Sequence, residues 1–380
     1  MVLYNKTHKD RLKLGHKVLF LDPLDFKGTI KFNPFAKNQI PEKLLLTSYI
    51  SNISNIIFAK KGDGDKSDYF TNTTKDLFNT VALYFVWKND FTTITQIKSF
   101  LLETTDLESQ FQMVQEELKE AQECETDKIN IRIIQQISEG ITKILQIIAA
   151  KDQFSGVIGS FNTQLSFFND FDIENIINCE ESTITANSLR KDKITLYLRV
   201  KDNDMERLSP LIKLFFETLT SDLLSNEPKK EDNQITFILD EFGNLGKVKK
   251  LIKATTISRS YRLNQIFVLQ DLEQLSSVYS KEERDILEAN TAYKIILKQN
   301  NFKTAKAFSE LIGNKTQSRT SQSTNQKLLQ SSSNSISKSW EGINLVSPQD
   351  ILNLEQDKCL ILAQGNYAKV IKADIPWYFT

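Results

Sequence analysis

Two adjacent carboxylates, Asp240 and Glu241, directly follow the apolar segment Ile235–Leu239. The β-branched and aromatic residues of that segment predict a buried strand. Acidic side chains at the carboxyl end of a central strand are typical of α/β proteins that hydrolyse nucleotides. Asp240 is suited to hold Mg²⁺ through water, because that ion prefers oxygen ligands and keeps several waters. Glu241 is suited to orient and deprotonate an attacking water.

Each candidate residue also has a purely structural explanation. An apolar run followed by two acids is a common pattern, so the pair can simply be solvated at the end of a strand. Arg259 and Arg262 precede a predicted strand over residues 265–269. Either arginine is suited to reach the nucleotide of a neighbouring subunit, where a cation neutralises transition-state charge. The alternative is that both arginines form surface salt bridges.

The surrounding pattern predicts an α/β domain with a large helical region, because proline is absent from residues 42 to 209 and apolar residues recur at helical spacing. Residues 316–339 are rich in Ser, Gln, Asn and Thr, and we expect a mobile loop there. A closing hairpin over residues 359–372 precedes Trp377 and Tyr378. Further strands are predicted in residues 17–23, where Pro23 stops the strand, and at 194–200 and 293–297. Helices are predicted at 41–59, 73–87, 91–177, from Ser209–Pro210 onward, from Val248, and at 303–311.

The composition is that of a globular protein with a sizeable core: 380 residues, 40% hydrophobic and 25% charged. The 48 basic and 48 acidic side chains cancel, so any contact with nucleic acid must be local. The three cysteines are far apart and odd in number, which favours a reducing cytosolic compartment. Only two histidines are present, which argues against a histidine-based triad. No apolar run is long enough to span a bilayer.

Residues 240–247 resemble the Walker B segment of the TraG/TraD-like coupling proteins of type IV secretion systems. Those proteins are RecA-like ATPases that pump DNA or protein during conjugation. Residues 15–23, 194–217, 269–275 and 286–294 resemble further segments of the same family in the same order. The resemblance implies an α/β, RecA-like P-loop NTPase fold, with a mostly parallel sheet flanked by helices and an inserted all-α domain.

The same resemblance implies the chemistry of the site and its surroundings. ATP and Mg²⁺ are the implied cofactors: Asp240 holds Mg²⁺ through water, Glu241 contacts the nucleotide and activates water, and Gln270 senses the γ-phosphate. Arg259 or Arg262 completes the site in a hexameric ring. The implied partners are DNA, relaxase or effector protein substrates and the components of the secretion channel. The implied location is the cytoplasm or the cytoplasmic face of the inner membrane.

The chain departs from the family pattern at the phosphate-binding loop. The motif G-x-x-x-x-G-K-[ST] does not occur in this sequence, and residues 62–67 fail its spacing and carry two acids. We expect the loop, its strand and the membrane helices of the family to lie upstream of Met1. Hydrolysis of ATP by this chain is then expected to be impaired. The open sheet edges are expected to make the isolated chain oligomeric or poorly soluble.

The expected domain organisation has three parts: the amino-terminal part of a nucleotide-binding domain over residues 1–72, an all-α domain over 73–178, and the rest of the RecA-like domain over 179–380. The favoured interpretation is the motor domain of a coupling protein, in a truncated form. The alternative is a non-catalytic adaptor or docking module, or an inert remnant of such a protein. Another RecA-like DNA motor would explain the segments outside the Walker B region poorly.

Overall fold

The computed structural model describes residues 2–59, 69–104, 106–325, 333–367 and 369–376. Residues 62–67, Trp377 and Tyr378, which the sequence interpretation mentions, lie outside these ranges. The chain forms two compact units. The first comprises residues 1–238 and 244–266, and the second comprises residues 239–243 and 267–380.

A parallel strand pair lies in the first unit. β1 (Lys17–Leu21) pairs with β2 (Ile194–Leu198) along its full length. Parallel strands need a long crossover connection, and here the helical region supplies it. Arg199 follows β2 and pairs with Asp22, the residue after β1, at 3.5 Å. The Arg199 guanidinium also lies over the Tyr4 ring, 5.1 Å from its centroid, so the ends of both strands are tied together.

The strand that carries the acidic pair has one partner among the described residues. β3 (Ile235–Leu239) pairs with β4 (Leu263–Phe267). The Ile235 N–H donates to the Arg262 carbonyl at 3.1 Å, and the Val268 N–H donates to the Leu239 carbonyl at 3.0 Å. The hydrogen-bonded positions advance from Ile235 and Arg262 to Leu239 and Val268, so β3 and β4 run in the same direction.

Helices form most of the first unit. Between residues 69 and 177 the described residues contain helices and no strand, as the sequence predicts, while the domain boundaries stay predictions. In the described part of the chain, none of the helices is long and apolar enough to span a membrane. The helices are α1 (Val2–Lys13), α2 (Leu46–Ile57), α3 (Tyr69–Asn89), α4 (Ile94–Leu102), α5 (Leu107–Cys124), α6 (Lys128–Ala149), α7 (Lys151–Leu165), α8 (Phe171–Ile177), α9 (Ala186–Lys191), α10 (Asp202–Leu223) and α11 (Lys249–Ala254).

The packing of α3 on α6 explains why this region is helical. The buried face of α6 has the three- and four-residue spacing of an amphipathic helix. Gly140 lies on α6 where it meets α3, and a Cβ added there would be 2.4 Å from the Thr80 Oγ1. The two helices therefore approach closely only because residue 140 has no side chain. The buried residues of α6 are Ile133, Ile134, Ile137, Ile141 and Ile144.

The second unit combines short helices with antiparallel strands. An apolar core lies under its sheet, formed by Ile296, Ala305, Ile312, Ile351, Leu354, Leu360 and Leu362. The sheet has the strand order β5-β8-β9, and β6 and β7 form a separate antiparallel ribbon. The elements are α12 (Leu272–Val278), α13 (Lys281–Asn290), β5 (Tyr293–Ile296), α14 (Phe302–Ile312), β6 (Asn314–Asn325), β7 (Ser333–Asn344), α15 (Pro348–Leu352), β8 (Lys358–Ala363) and β9 (Ile371–Asp374).

Two local expectations are wrong. Residues 316–339, expected as a mobile loop, include the paired strands β6 and β7. Ladder hydrogen bonds join main chains, so a polar composition does not by itself exclude a strand pair. The helix expected to start at Ser209–Pro210 begins at Asp202, with Pro210 inside α10. Leu208 and Leu211 are buried on either side of that proline, and this packing outweighs the lost main-chain hydrogen bond.

The described strands lie in four small sheets: the β1–β2 pair is parallel, and the strand pairs of the second unit are antiparallel. The sequence predicts β3 as a buried strand, and its exposure in the structure alternates. Phe237 is 9% exposed whereas Ile238 is 57% exposed. Among the described residues no element covers the Ile238 face of this strand, and that is the physical reason for the difference.

Candidate nucleotide site

Asp240 and Glu241 form the turn that ends β3. Leu239, just before them, accepts a hydrogen bond from the Val268 N–H at 3.0 Å. Phe242, just after them, donates its N–H to the Val268 carbonyl at 3.1 Å. Both acids are therefore held between two main-chain bonds to one residue that follows the neighbouring strand.

The buried aromatic side chain of Phe242 holds this turn in place. Phe242 is fully buried, and its ring centroid lies 4.8 Å from that of Phe267 and 5.4 Å from that of Tyr279. Glu241 has a φ of 52°, a left-handed conformation that costs a residue with a side chain about 1–2 kcal/mol. Burial of the next side chain is worth a similar amount, so the anchor offsets the strain at Glu241. Strain of this kind is often found at functional turns.

Gln270 lies at the same end of the strand pair, two positions after Val268. The Gln270 side chain is exposed, and the main-chain N–H of Gln270 lies 3.4 Å from the Gln274 Oε1. Asp271 then caps α12 by accepting the Gln274 N–H at 2.9 Å. The structure thus places Gln270 beside the turn that carries the acidic pair, in a loop tied to the start of a helix.

The surroundings of Asp240 fit the metal that the sequence suggests for it. The carboxylate is exposed and forms no hydrogen bond or ion pair with any other described residue. Within the described ranges no group of three or more His, Cys, Asp or Glu is arranged to hold a metal ion. A single exposed carboxylate suits Mg²⁺, which keeps most of its waters and takes one or two protein oxygens.

The two candidate arginines lie in the first unit and have different surroundings. The Arg262 guanidinium donates to the carbonyls of Lys229 and Lys230 at 3.2 and 3.0 Å, so it is committed to its own chain. Arg259 is exposed, and its side chain has no hydrogen bond or ion pair with a described residue. Neither arginine forms a salt bridge within the described part of the chain. Of the two, Arg259 is the one whose guanidinium can contact another molecule.

Buried ionisable groups lie where α10 packs on α11. Burial raises the pKa of the Glu217 carboxyl, which accepts the Lys250 N–H at 3.3 Å. Burial also raises the pKa of Asp222 to about 7, against the attraction of the nearby Lys250. The Lys250 Nζ donates to the Ser221 Oγ at 3.2 Å. Among the basic side chains of α11, that of Lys250 is therefore engaged with α10.

The sequence interpretation did not identify the residues that hold the site in place. Phe242 carries one local signal, since an aromatic residue between an acidic pair and Gly243 indicates an anchored turn. Gly243 itself allows close packing, since a Cβ there would lie 3.1 Å from the Gln274 Cβ. Tyr279 carries no local pattern that links it to the acids, because it reaches Phe242 only through the fold.

Comparison with known proteins gives one family. The family model described as type IV secretory system conjugative DNA transfer matches residues 2–380. The protein VirD4 of Rhizobium radiobacter is 27% identical over 368 residues, which are 96% of this chain and 50% of that protein. VirD4 of Agrobacterium fabrum is 25% identical over 369 residues, 96% of this chain and 52% of that protein. The chain therefore spans about half the length of these relatives.

Solved structures give the same fold. The bacterial conjugative coupling protein TrwBdeltaN70, in an unbound form, matches with a TM-score of 0.65 and 16% identity, over 94% of this chain and 73% of that one. The plasmid coupling protein TrwB in complex with ADP and Mg²⁺ matches with the same TM-score, identity and coverage. The expected fold class, α/β and RecA-like, is confirmed by these matches.

Proposed function

Because this chain belongs to the type IV secretory system conjugative DNA transfer family, we propose that it is the motor domain of a coupling protein. In this function ATP hydrolysis drives DNA, or a relaxase or effector protein, towards the secretion channel. The observation that carries the proposal is the placement of Asp240 and Glu241 at the carboxyl end of β3, held by the residue that precedes the Gln270 loop. The motor works as a ring of identical subunits at the cytoplasmic face of the membrane.

Each residue of the site has a distinct task in this proposal. Asp240 holds Mg²⁺ through water, and the ion, when bound, neutralises charge on the phosphates. Glu241 orients the attacking water and takes up its proton. Gln270 donates its side-chain amide to the γ-phosphate. The fixed turn matters because a carboxylate positioned in advance loses little freedom when the substrate binds.

Arg259 completes the site of the next subunit in the ring. Its side chain is exposed and has no partner among the described residues, whereas Arg262 is held by two carbonyls of its own chain. An arginine supplied by a neighbour stabilises transition-state charge. That hydrolysis by this chain alone is impaired stays a prediction, and the wild-type ATPase rate measured as the reference in the second experiment tests it.

The first experiment is titration of the 380-residue chain with ATP and Mg²⁺ by calorimetry. We expect micromolar binding that Asp240→Ala weakens at least tenfold, because the metal-holding oxygen is lost. Glu241→Gln is expected to retain nucleotide and to lose hydrolysis, because it removes only the base. Glu231→Gln, an exposed acid away from the turn, controls for net charge. Absence of any nucleotide binding would reject the motor function and favour an adaptor.

A second experiment tests whether the site is shared between subunits. Arg259→Ala and Glu241→Gln are each expected to lower the ATPase rate by at least about a hundredfold, in line with other trans arginines. When the two variants are mixed, some interfaces combine an intact Arg259 with an intact Glu241. ATPase activity should therefore return to a measurable fraction of the wild-type rate. A mixture that stays inactive would place Arg259 outside the neighbouring site, and Lys253→Ala serves as the control cation.

A further inference from the structure

Arg190 is a buried arginine that no part of the proposed chemistry uses. It lies on α9 and is only 7% exposed. Its Nη2 donates to the Tyr261 carbonyl at 2.5 Å, and its Nη1 lies 3.1 Å from the Asn233 carbonyl and 3.4 Å from the Arg262 carbonyl. One guanidinium therefore contacts main-chain oxygens from two segments that are far apart in sequence.

These contacts meet at the starts of the two strands that lead to the site. The Asn233 N–H donates back to the Arg190 carbonyl at 2.8 Å, which makes that connection reciprocal. The Arg262 carbonyl, besides its contact with Arg190, accepts the Ile235 N–H at 3.1 Å. The start of β3 and the start of β4 are thus tied to the same guanidinium.

The segment under this guanidinium is the turn that carries Arg259. The Arg262 N–H donates to the Arg259 carbonyl at 3.2 Å and closes the turn, and the Leu263 N–H donates to the Ser258 carbonyl at 3.0 Å. Arg262 has a φ of 46°, so its backbone is in a strained left-handed conformation. Such a conformation persists only where surrounding contacts hold it, and here they are the carbonyl contacts of Arg190 and the contacts of Arg262 itself.

We infer that Arg190 is a positioning residue, which holds the turn of residues 259–262 so that Arg259 is presented to the neighbouring subunit. The inference rests on the proposed function of Arg259. A planar guanidinium can contact three carbonyls at once because its donors are fixed in a fork, whereas a lysine has a single nitrogen on a flexible stem. A lysine at position 190 would keep the charge and lose the simultaneous contacts.

The test is hydrogen exchange on the 380-residue chain, compared between wild type and Arg190→Lys. We expect the amides of Ile235, Arg262 and Leu263 to exchange about tenfold faster, with exchange elsewhere unchanged, because only the turn is released. Arg199→Lys is the matched control: it alters another largely buried arginine of the same unit and should leave these amides unchanged. Unchanged exchange at these amides, or faster exchange throughout the first unit, would overturn the inference.

Complementation separates positioning from general stabilisation. Arg190→Lys mixed with Glu241→Gln should regain ATPase activity, whereas Arg190→Lys mixed with Arg259→Ala should not, because both variants lack the same contribution in trans. If Arg259→Ala keeps full activity, the proposed finger is wrong, and the exchange result alone decides whether Arg190 holds the turn. If Arg259→Ala is inactive while Arg190→Lys behaves as wild type, the inference fails and the proposed function stands.

Discussion

At the scale of single residues, the molecule separates the side chains that can react from those that hold them. Asp240 and Arg259 are exposed and have no partner among the described residues, while Phe242 and Arg190 are buried and fully engaged. The first group carries little of the folding free energy, because exposed unpaired side chains contribute little to it. Substitutions in the first group should therefore change binding and hydrolysis with small effects on stability.

The buried carboxyl of Asp222 gives a pH-dependent prediction. Its pKa is raised from 3.8 to about 7 by burial, with Tyr49 of α2 and Lys250 of α11 as the ionisable groups that face it. A raised carboxyl pKa means that the folded state binds the proton more tightly, so stability falls as pH rises from about 4 to about 7 and then levels off. Asp222→Asn should remove this loss, and be about 2 kcal/mol more stable than wild type at pH 8.

Urea unfolding of both proteins at pH 5 and pH 8 checks this prediction. Near pH 5 the difference between the two free energies of unfolding should be smaller than at pH 8, because only the first part of the fall between pH 4 and pH 7 has taken place. Glu227→Gln removes a negative charge in the exposed loop after the same helix and controls for net charge. An equal difference between Asp222→Asn and wild type at both pH values would exclude ionisation of Asp222 as the cause.

Local sequence reasoning located the reactive residues but not their supports. The strand Ile235–Leu239 and the turn after it are where the sequence predicts them, because an apolar run ended by two acids and a glycine is a local signal. The positive φ of Glu241 and the contacts of Arg190 depend on segments distant in sequence, which a single sequence does not reveal. The catalytic roles of Asp240, Glu241, Gln270 and Arg259 stay predictions.

At the scale of elements, helices are the best predicted part of the chain. Periodic apolar residues place the predicted helix 73–87 within α3, and the predicted helical region 91–177 contains α4 to α8, since one buried face is enough to specify a helix. The predicted start of α10 at Ser209–Pro210 is wrong, because packing on both sides of Pro210 outweighs the preference of proline for the first turn of a helix. The β6–β7 ribbon was missed because its polar residues indicate a loop by composition, whereas its pairing uses the main chain.

Substitution of Gly140, with Gly159 as a control, tests how closely α3 and α6 approach. Gly140→Ala should destabilise the protein by about 1–2 kcal/mol, because the new Cβ would lie 2.4 Å from the Thr80 Oγ1 and the helices must separate. Gly159→Ala, on α7 with nothing within 4 Å of its Cβ position, should instead stabilise by about 0.5–1 kcal/mol through helix propensity. Urea unfolding measures both, and equal effects of the two alanines would argue against the tight crossing.

At the scale of the whole molecule, each unit leaves apolar strand residues in solvent. In the first unit Ile238 and Ile266 are 57% and 49% exposed. In the second unit Tyr293 and Ile295, on β5, are 69% and 66% exposed. Strands that expose apolar faces and unpaired edges associate with other chains unless they are covered. These exposed residues agree with the sequence prediction that the isolated chain is oligomeric or poorly soluble. That outcome stays a prediction.

Size-exclusion chromatography with light scattering tests that expectation. The wild-type chain should elute above its monomer mass of 43.7 kDa, whereas the double variant Ile238→Thr, Ile295→Thr should shift towards the monomer. Threonine keeps the β preference of the strands and removes the apolar contact, so the fold is retained. Leu44→Ser, 72% exposed on a short helical turn, is the control for a scattered apolar residue. A wild-type chain that is a cooperative monomer would contradict the prediction.

The left-handed turn at Glu241 has a consequence for how such chains change over evolutionary time. At the backbone level glycine is the residue best tolerated at a φ of 52°, so the backbone conformation itself does not favour a glutamate there. Related chains that no longer hydrolyse ATP should carry glycine or asparagine at this position more often, while the residue equivalent to Phe242 is retained. The residue at position 241, compared across the sequences of related chains, would thus distinguish those that hydrolyse ATP from those that do not.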